Sequence, residues 1–201
     1  SHRNETIYHE RPDGLLEKKL VRIRPGTIAL AAAVKYKYNI TVVPHLLCGG
    51  FTKEETENVL IEMNFLGIDD VLALRGDPPK GSRQFIPEKD GHLNTSELVE
   101  QIINMNTGKY LERTLENTAP TNFCVGVAGY PEKHFEAPNM EVDIRNLRRK
   151  VEKGASYVVT QMFFDNSKFL NFREECRKKG INVPIIAGLK PISTCRAWIC
   201  P

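Results

Sequence analysis

Five short apolar runs punctuate the chain: Ile40–Leu47, Val71–Leu74, Phe123–Ala128, Tyr157–Met162 and Pro184–Gly188. They are apolar on both faces rather than alternating, the pattern of strands in a parallel sheet covered on each side. Helical stretches lie between them. Thr52 and Glu55 form a capping box ahead of the stripe Val59, Met63, Leu66, and Asn94 with Glu97 opens a second helix carrying Leu98, Ile102 and Met105. Two further helices are expected over Val142–Lys153 and Ser167–Lys179, and one over Thr27–Lys37, after Arg24-Pro25-Gly26. Gly67, Gly154 and Gly180 each stand shortly before the next apolar run, a recurring helix stop. Strands recur at about 30 residues in three of the four intervals, the spacing of βαβ units. The longer interval holds Pro78–Gly91 and Thr107–Thr121.

This periodicity predicts an α/β fold, a (β/α)₈ TIM barrel left incomplete, with about five strands and five helices in one domain over 1–201. Within it, 1–23 is expected to be an irregular excursion around the turn signal Arg11-Pro12-Asp13-Gly14, 24–191 to hold the β/α units, and 192–201 to be an atypical tail.

Composition narrows the function classes. With 41% hydrophobic and 26% charged residues the chain has a globular balance, and a formal charge of +3 is too small and dispersed for a nucleic-acid surface. No run approaches the roughly 18 apolar residues of a membrane span. Cys48, Cys124, Cys176, Cys195 and Cys200 are an odd set without paired spacing, and no signal-peptide core opens the chain, which fits a reducing cytoplasm.

Ligands of parallel β/α folds bind beyond the carboxyl ends of the strands. Each run here leads into polar residues: Pro44-His45-Leu46-Leu47-Cys48, Leu74-Arg75-Gly76-Asp77-Pro78-Pro79, Gly129-Tyr130-Pro131-Glu132-Lys133-His134, Gln161-Met162-Phe163-Phe164-Asp165 and Gly188-Leu189-Lys190-Pro191. Arg75-Gly76-Asp77 combines a fixed fork of donors, a glycine that admits close backbone approach and a carboxylate acceptor; a structural Arg–Asp pair at a turn is the alternative. On the helix over 142–153, Asp143, Asn146 and Lys150 share one face with Arg149 beside them, opposite Ile144, Leu147 and Val151. That polar face is either plain solvated surface or a set of groups for a nucleotide's hydroxyls and phosphates. His45, Cys48 and His134 lack the regular spacing of a tetrahedral zinc site, so no metal is expected.

Taken in order, Pro44–Cys48, Ala73–Asp77, Ala128–Ala137 and Thr160–Asp165 resemble the successive strand-end motifs of the flavin-dependent methylenetetrahydrofolate reductase family of bacterial type, over about Arg24 to Pro191. The resemblance implies FAD lying across the strand ends, held by His45, Arg75, Gly76, Asp77, Tyr130, His134, Ala137, Asp143, Asn146, Arg149 and Lys150. It implies FAD-dependent reduction of 5,10-methylenetetrahydrofolate to 5-methyltetrahydrofolate by NAD(P)H in one-carbon and methionine metabolism, by a ping-pong scheme. Asp77 would sit by the flavin and contact folate, and Gln161 would hydrogen-bond the substrate stacked there; these are the catalytic and substrate-binding assignments.

The segment carrying the family's general acid has no match here, so the chain is expected to be truncated at both ends and not to turn over folate. A homo-oligomer is expected of the full-length protein. Two other readings remain open: a non-catalytic flavin- or nucleotide-binding barrel subunit, and a metal-dependent barrel hydrolase using His45 and His134.

Overall fold

The computed structural model describes residues 4–22, 25–78, 85–112 and 118–190. Expectations for Arg24, Pro79, Pro191 and the tail, with Cys195 and Cys200, fall outside these. The chain divides into two compact units, 1–44 and 45–201.

In the first unit, β1 (Asn4–Glu10) and β2 (Leu16–Arg22) pair antiparallel, with Glu10 opposite Leu16. The segment expected to be irregular is thus a regular hairpin. Its turn is the Arg11–Gly14 signal: Leu15 O accepts from Arg11 N at 2.8 Å, and Asp13 Oδ1 accepts from Leu15 N at 3.1 Å. Both arms lack a sustained apolar alternation, so only the turn chemistry was legible. Helix α1 (Thr27–Tyr38) follows and ends at Asn39 in the left-handed conformation.

The second unit alternates strand and helix: β3 (His45–Leu47), α2 (Lys53–Phe65), β4 (Asp70–Leu74), α3 (Thr95–Asn106), β5 (Cys124–Gly129), α4 (Met140–Glu152), β6 (Tyr157–Thr160), α5 (Asn166–Lys178) and β7 (Ile185–Ile186). The sheet runs β3-β4-β5-β6-β7, parallel throughout, and stays open between β3 and β7. It is an incomplete (β/α)₈ barrel, with five parallel strands and four helices among the described residues of this unit; α1 of the first unit brings the described helices to five.

The helix starts follow from their caps. Thr52 Oγ1 accepts from Glu55 N at 3.1 Å while Glu55 Oε2 accepts from Thr52 N at 2.8 Å, completing the capping box. Asn94, Asn139 and Asp165 cap α3, α4 and α5, so the last two begin slightly earlier than the apolar pattern alone indicates. Gly67, Gly154 and Gly180 all have positive φ (60°, 111° and 81°), the conformation that stops a helix and frees the chain to re-enter the sheet.

The core lies between the sheet and its helices. Leu46, Val71, Ala73, Val125, Val127 and Val158 are buried on the face met by Leu60, Met63, Leu98, Ile102, Met105, Ile144 and Leu147. The opposite face is only partly covered: Leu47, Leu74, Ala128 and Val159 are intermediate and Ile186 is 50% exposed. The expectation of burial on both faces therefore holds in full only on the helix side: on the other, Leu72 is buried but its neighbours are partly open, and among the described residues of this unit no wall faces the open arc. Tyr157 fills part of this inner face. Its ring lies over Gly126 and its hydroxyl donates to Val71 O at 3.4 Å. The first run is also corrected: only His45–Leu47 is strand, and Ile40 and Val43 are 52% and 44% exposed.

Ile102 is fully buried in this core. Ile102→Ala is expected to cost about 2–5 kcal/mol, the range for deleting a buried aliphatic side chain, read from the midpoint of urea unfolding.

Candidate functional site

Hydrogen bonds donated by main-chain N–H groups carry the sheet past its strand ends and join them into one rim. Cys48 N donates to Leu74 O at 3.0 Å and Gly49 N to Arg75 O at 3.2 Å, tying the exit of β3 to that of β4. Gln161 N donates to Gly129 O at 2.8 Å, and Gly188 N to Thr160 Oγ1 at 2.9 Å, doing the same for β5 to β6 and β6 to β7. Between β4 and β5 the link is a side-chain pair: Arg75 Nη2 lies 2.6 Å from Glu136 Oε2.

The β4 exit is Arg75-Gly76-Asp77. Gly76 sits at φ 91°, where a side chain would be strained, and a Cβ there would touch only Leu47 at 3.8 Å, so the approach to this backbone is open. The Arg75 guanidinium stacks over the Phe85 ring at 5.2 Å. Its partner is Glu136, so the alternative of an Arg75–Asp77 structural pair is not what forms. Asp77 is exposed.

The β5 exit is the most tightly built segment of the rim. Lys133 takes a positive φ of 77° and its Nζ donates to His134 O at 3.1 Å and Ala137 O at 2.6 Å. Asp143 of α4, buried, accepts from His134 N at 2.9 Å. Tyr130 and His134 meet edge to face at 4.6 Å, and Phe135 stacks on His134 at 4.7 Å. Glu136 N donates to His134 Nδ1 at 3.2 Å, which selects the neutral imidazole with its proton on Nε2.

Burial holds the His134 pKa down, helped by Arg75 and Lys150 and opposed by Glu136 and Asp143. Burial raises the Tyr130 phenol, and Asp143 adds to it, so Tyr130 remains a neutral donor. Lys150 Nζ donates to Ala128 O at 3.3 Å; burial lowers its pKa while Asp143 raises it. Cys48 is pushed up to about 12, chiefly by burial, and stays a thiol.

The α4 face divides. Asp143 and Lys150 turn toward the rim, whereas Asn146 and Arg149 are exposed, and Arg149 has no ion pair among the described residues. Ala137 is buried and closes the loop through Ala137 N to His134 O at 3.0 Å. Gln161 is exposed at the β6 exit, its Oε1 accepting from Met162 N at 3.2 Å, and Lys190 is exposed beyond β7. One expectation fails: His45 opens β3 opposite Leu72 instead of sitting at its carboxyl end, because the strand is short and starts there. Arg75, Asp77, Tyr130, His134, Asp143, Lys150 and Gln161 share the rim.

Guanidinium and ammonium groups, a glycine turn, an imidazole N–H and aromatic faces suit a ligand with phosphates, hydroxyls and a flat ring. The family model for methylenetetrahydrofolate reductase matches residues 22–199. The chain belongs to this family. It is 33% identical over 172 residues to methylenetetrahydrofolate reductase 2 of Saccharomyces cerevisiae, covering 85% of this chain and 26% of that protein. It is 35% identical over 170 residues to 5,10-methylenetetrahydrofolate reductase of Escherichia coli, covering 85% of this chain and 50% of that one. The chain thus spans a quarter to a half of these relatives. Among solved structures, an uncharacterized protein from Clostridium thermocellum that binds two copies of 5-methyl-5,6,7,8-tetrahydrofolic acid has TM-score 0.51 at 15% identity, covering 84% of this chain and 51% of that one. This likeness concerns the fold.

Sequence reasoning gave no role to Glu136 or Lys133. Glu136 pairs with a residue on a different strand exit, and Lys133 bonds only to carbonyls of its own loop, so neither contact leaves a spacing to detect. Among the described residues no three His, Cys, Asp or Glu side chains gather to hold a metal ion, and no helix is long and apolar enough to cross a membrane.

Away from the rim, the buried His92 shares a hydrogen bond with Gln101, whose Nε2 donates to Lys53 O at 2.9 Å. Burial lowers the pKa of both His92 and His134 below the ordinary 6.5. The unfolded chain therefore protonates first as pH falls, so this contribution to stability is complete above 6.5 and is lost below it. Urea midpoints are expected to fall between about pH 7.5 and 5.5, and by less in His134→Gln.

Proposed function

We propose that the rim is the FAD-binding and substrate-orienting surface of a cytoplasmic oxidoreductase that reduces 5,10-methylenetetrahydrofolate to 5-methyltetrahydrofolate with NAD(P)H. The observation that carries this reading is the convergence of Arg75, Tyr130, His134 and Lys150 on one edge, in a chain of the methylenetetrahydrofolate reductase family. FAD, when bound, supplies the hydride-transfer chemistry between the nicotinamide and the folate.

The chain's own residues do the binding and orienting. Arg75, Arg149 and Lys150 answer the pyrophosphate charge; Gly76 lets the main chain approach; Asn146 and Asp143 suit hydroxyls; His134 offers Nε2–H; and Ala137 and Tyr130 form the wall. His45, at the start of β3, has the weakest geometric support in this set. In this reading Asp77, exposed at the β4 exit, contacts the folate and adds negative charge beside the ring. Gln161, exposed at the β6 exit with its Oε1 already accepting from Met162 N, keeps its amide nitrogen as a donor for the stacked substrate.

Titrating the purified chain with FAD and following flavin fluorescence tests this directly. Saturable binding is expected, weakened at least about tenfold in Arg75→Ala, because a lost charge-assisted contact to phosphate is worth about 1.5 kcal/mol or more. Absence of flavin binding, or an Arg75→Ala affinity equal to the parent's, contradicts it.

A further inference from the structure

We propose that Glu136 is a positioning residue of the rim, one that sets both the Arg75 guanidinium and the His134 imidazole in the orientation in which they meet a ligand. The cofactor's identity rests on the reading above; the positioning itself does not.

Two separate groups of Glu136 act on two separate strand exits. Its carboxylate holds Arg75 Nη2 at 2.6 Å, with the two side chains 27% and 33% exposed, while Phe85 braces the guanidinium from its face at 5.2 Å. A long side chain fixed at its edge and on its face gives up its rotamer freedom before any ligand arrives, which removes an ordering cost from binding. The pairing uses one of the five N–H donors of Arg75 and leaves the others for an anion.

The main-chain N–H of Glu136 donates to His134 Nδ1 at 3.2 Å, so the neutral ring carries its proton on Nε2 and presents a donor. The charged groups facing that ring are Arg75 from the β4 exit, Asp143 and Lys150 from α4, and Glu136 from its own loop.

A purely structural role for the carboxylate is disfavoured by the other anchors of its loop. Lys133 Nζ on the carbonyls of His134 and Ala137, and Asp143 on His134 N, hold the loop without it. Glu136→Gln is therefore expected to leave the fold intact while releasing Arg75.

Nitrogen-15 NMR of the ligand-free chain reads the positioning. The Arg75 Nε–H resonance is expected to be ordered in the parent and broadened by exchange in Glu136→Gln. The His134 ring nitrogens are expected to report the Nε2–H tautomer in the parent, and to keep it in the variant, because glutamine retains the main-chain N–H that Nδ1 accepts from. An Arg75 signal equally ordered in the variant, or a parent His134 ring protonated on Nδ1, overturns the proposal whether or not FAD binds.

FAD titrations add the coupling. Glu136→Gln is expected to weaken binding about tenfold in the parent and to have no further effect in an Arg75→Ala background, the non-additivity of groups that act as one. Tighter binding in Glu136→Gln overturns the proposal by showing that the carboxylate competes with the ligand. Equal losses in both backgrounds overturn it by showing that Glu136 does not act through Arg75. A parent that binds no FAD refutes the cofactor assignment and leaves the decision on Glu136 to the NMR comparison.

Discussion

In-register parallel pairing is the constraint on which the rest of the molecule depends. Leu72 stands opposite both His45 and Gly126, and Val127 opposite both Ala73 and Val158, so every strand of the second unit leaves the sheet at the same edge. The pairing continues past the strands through Cys48 to Leu74 and Gln161 to Gly129. A one-residue slip of β5 would turn its buried valines to the open face, and a two-residue slip would carry Glu136 about 6–7 Å along the strand, out of reach of Arg75. The hydrophobic pattern that fills the helix side of the sheet is thus also what brings Arg75 and Glu136 to 2.6 Å.

The rim keeps partly desolvated charges in a small balanced set. Lys150 and Arg75 are offset by Asp143 and Glu136, and the two acids also fix the loop that carries His134: Asp143 through the His134 N–H, Glu136 through Nδ1. Burying an unpaired cation would be costly, whereas here each has a carboxylate or carbonyl to turn to. The result is a donor-rich edge ordered before a ligand is present, which is the condition for orienting a phosphate and a flat ring without a large entropic penalty. Asn146 and Arg149 are exposed on the same helix.

Most of this architecture was legible because it rests on local rules. The Thr52–Glu55 box, the Asn94 cap and the glycines at 67, 154 and 180 are short-range chemistry and appear where the sequence indicates. The ordered strand-end motifs from Pro44 to Asp165 located the rim and the family. Long-range contacts were not legible. The Arg75–Glu136 pair, the inward turn of Asp143 and the retreat of His45 to the start of β3 depend on which strand exits become neighbours. The hairpin of β1 and β2 escaped because its arms lack an apolar alternation, and the covering of both sheet faces was overestimated because an apolar strand looks the same whether the barrel is closed or open.

The central claim is that separate strand exits make one binding edge. Following the backbone amides of Gly49, Gly76, Tyr130 and Gln161 by NMR during addition of FAD tests it most directly. The account predicts that all four shift together along a single saturation curve. Shifts confined to one of these exits, or centred instead on His92 and the start of α3, would contradict it.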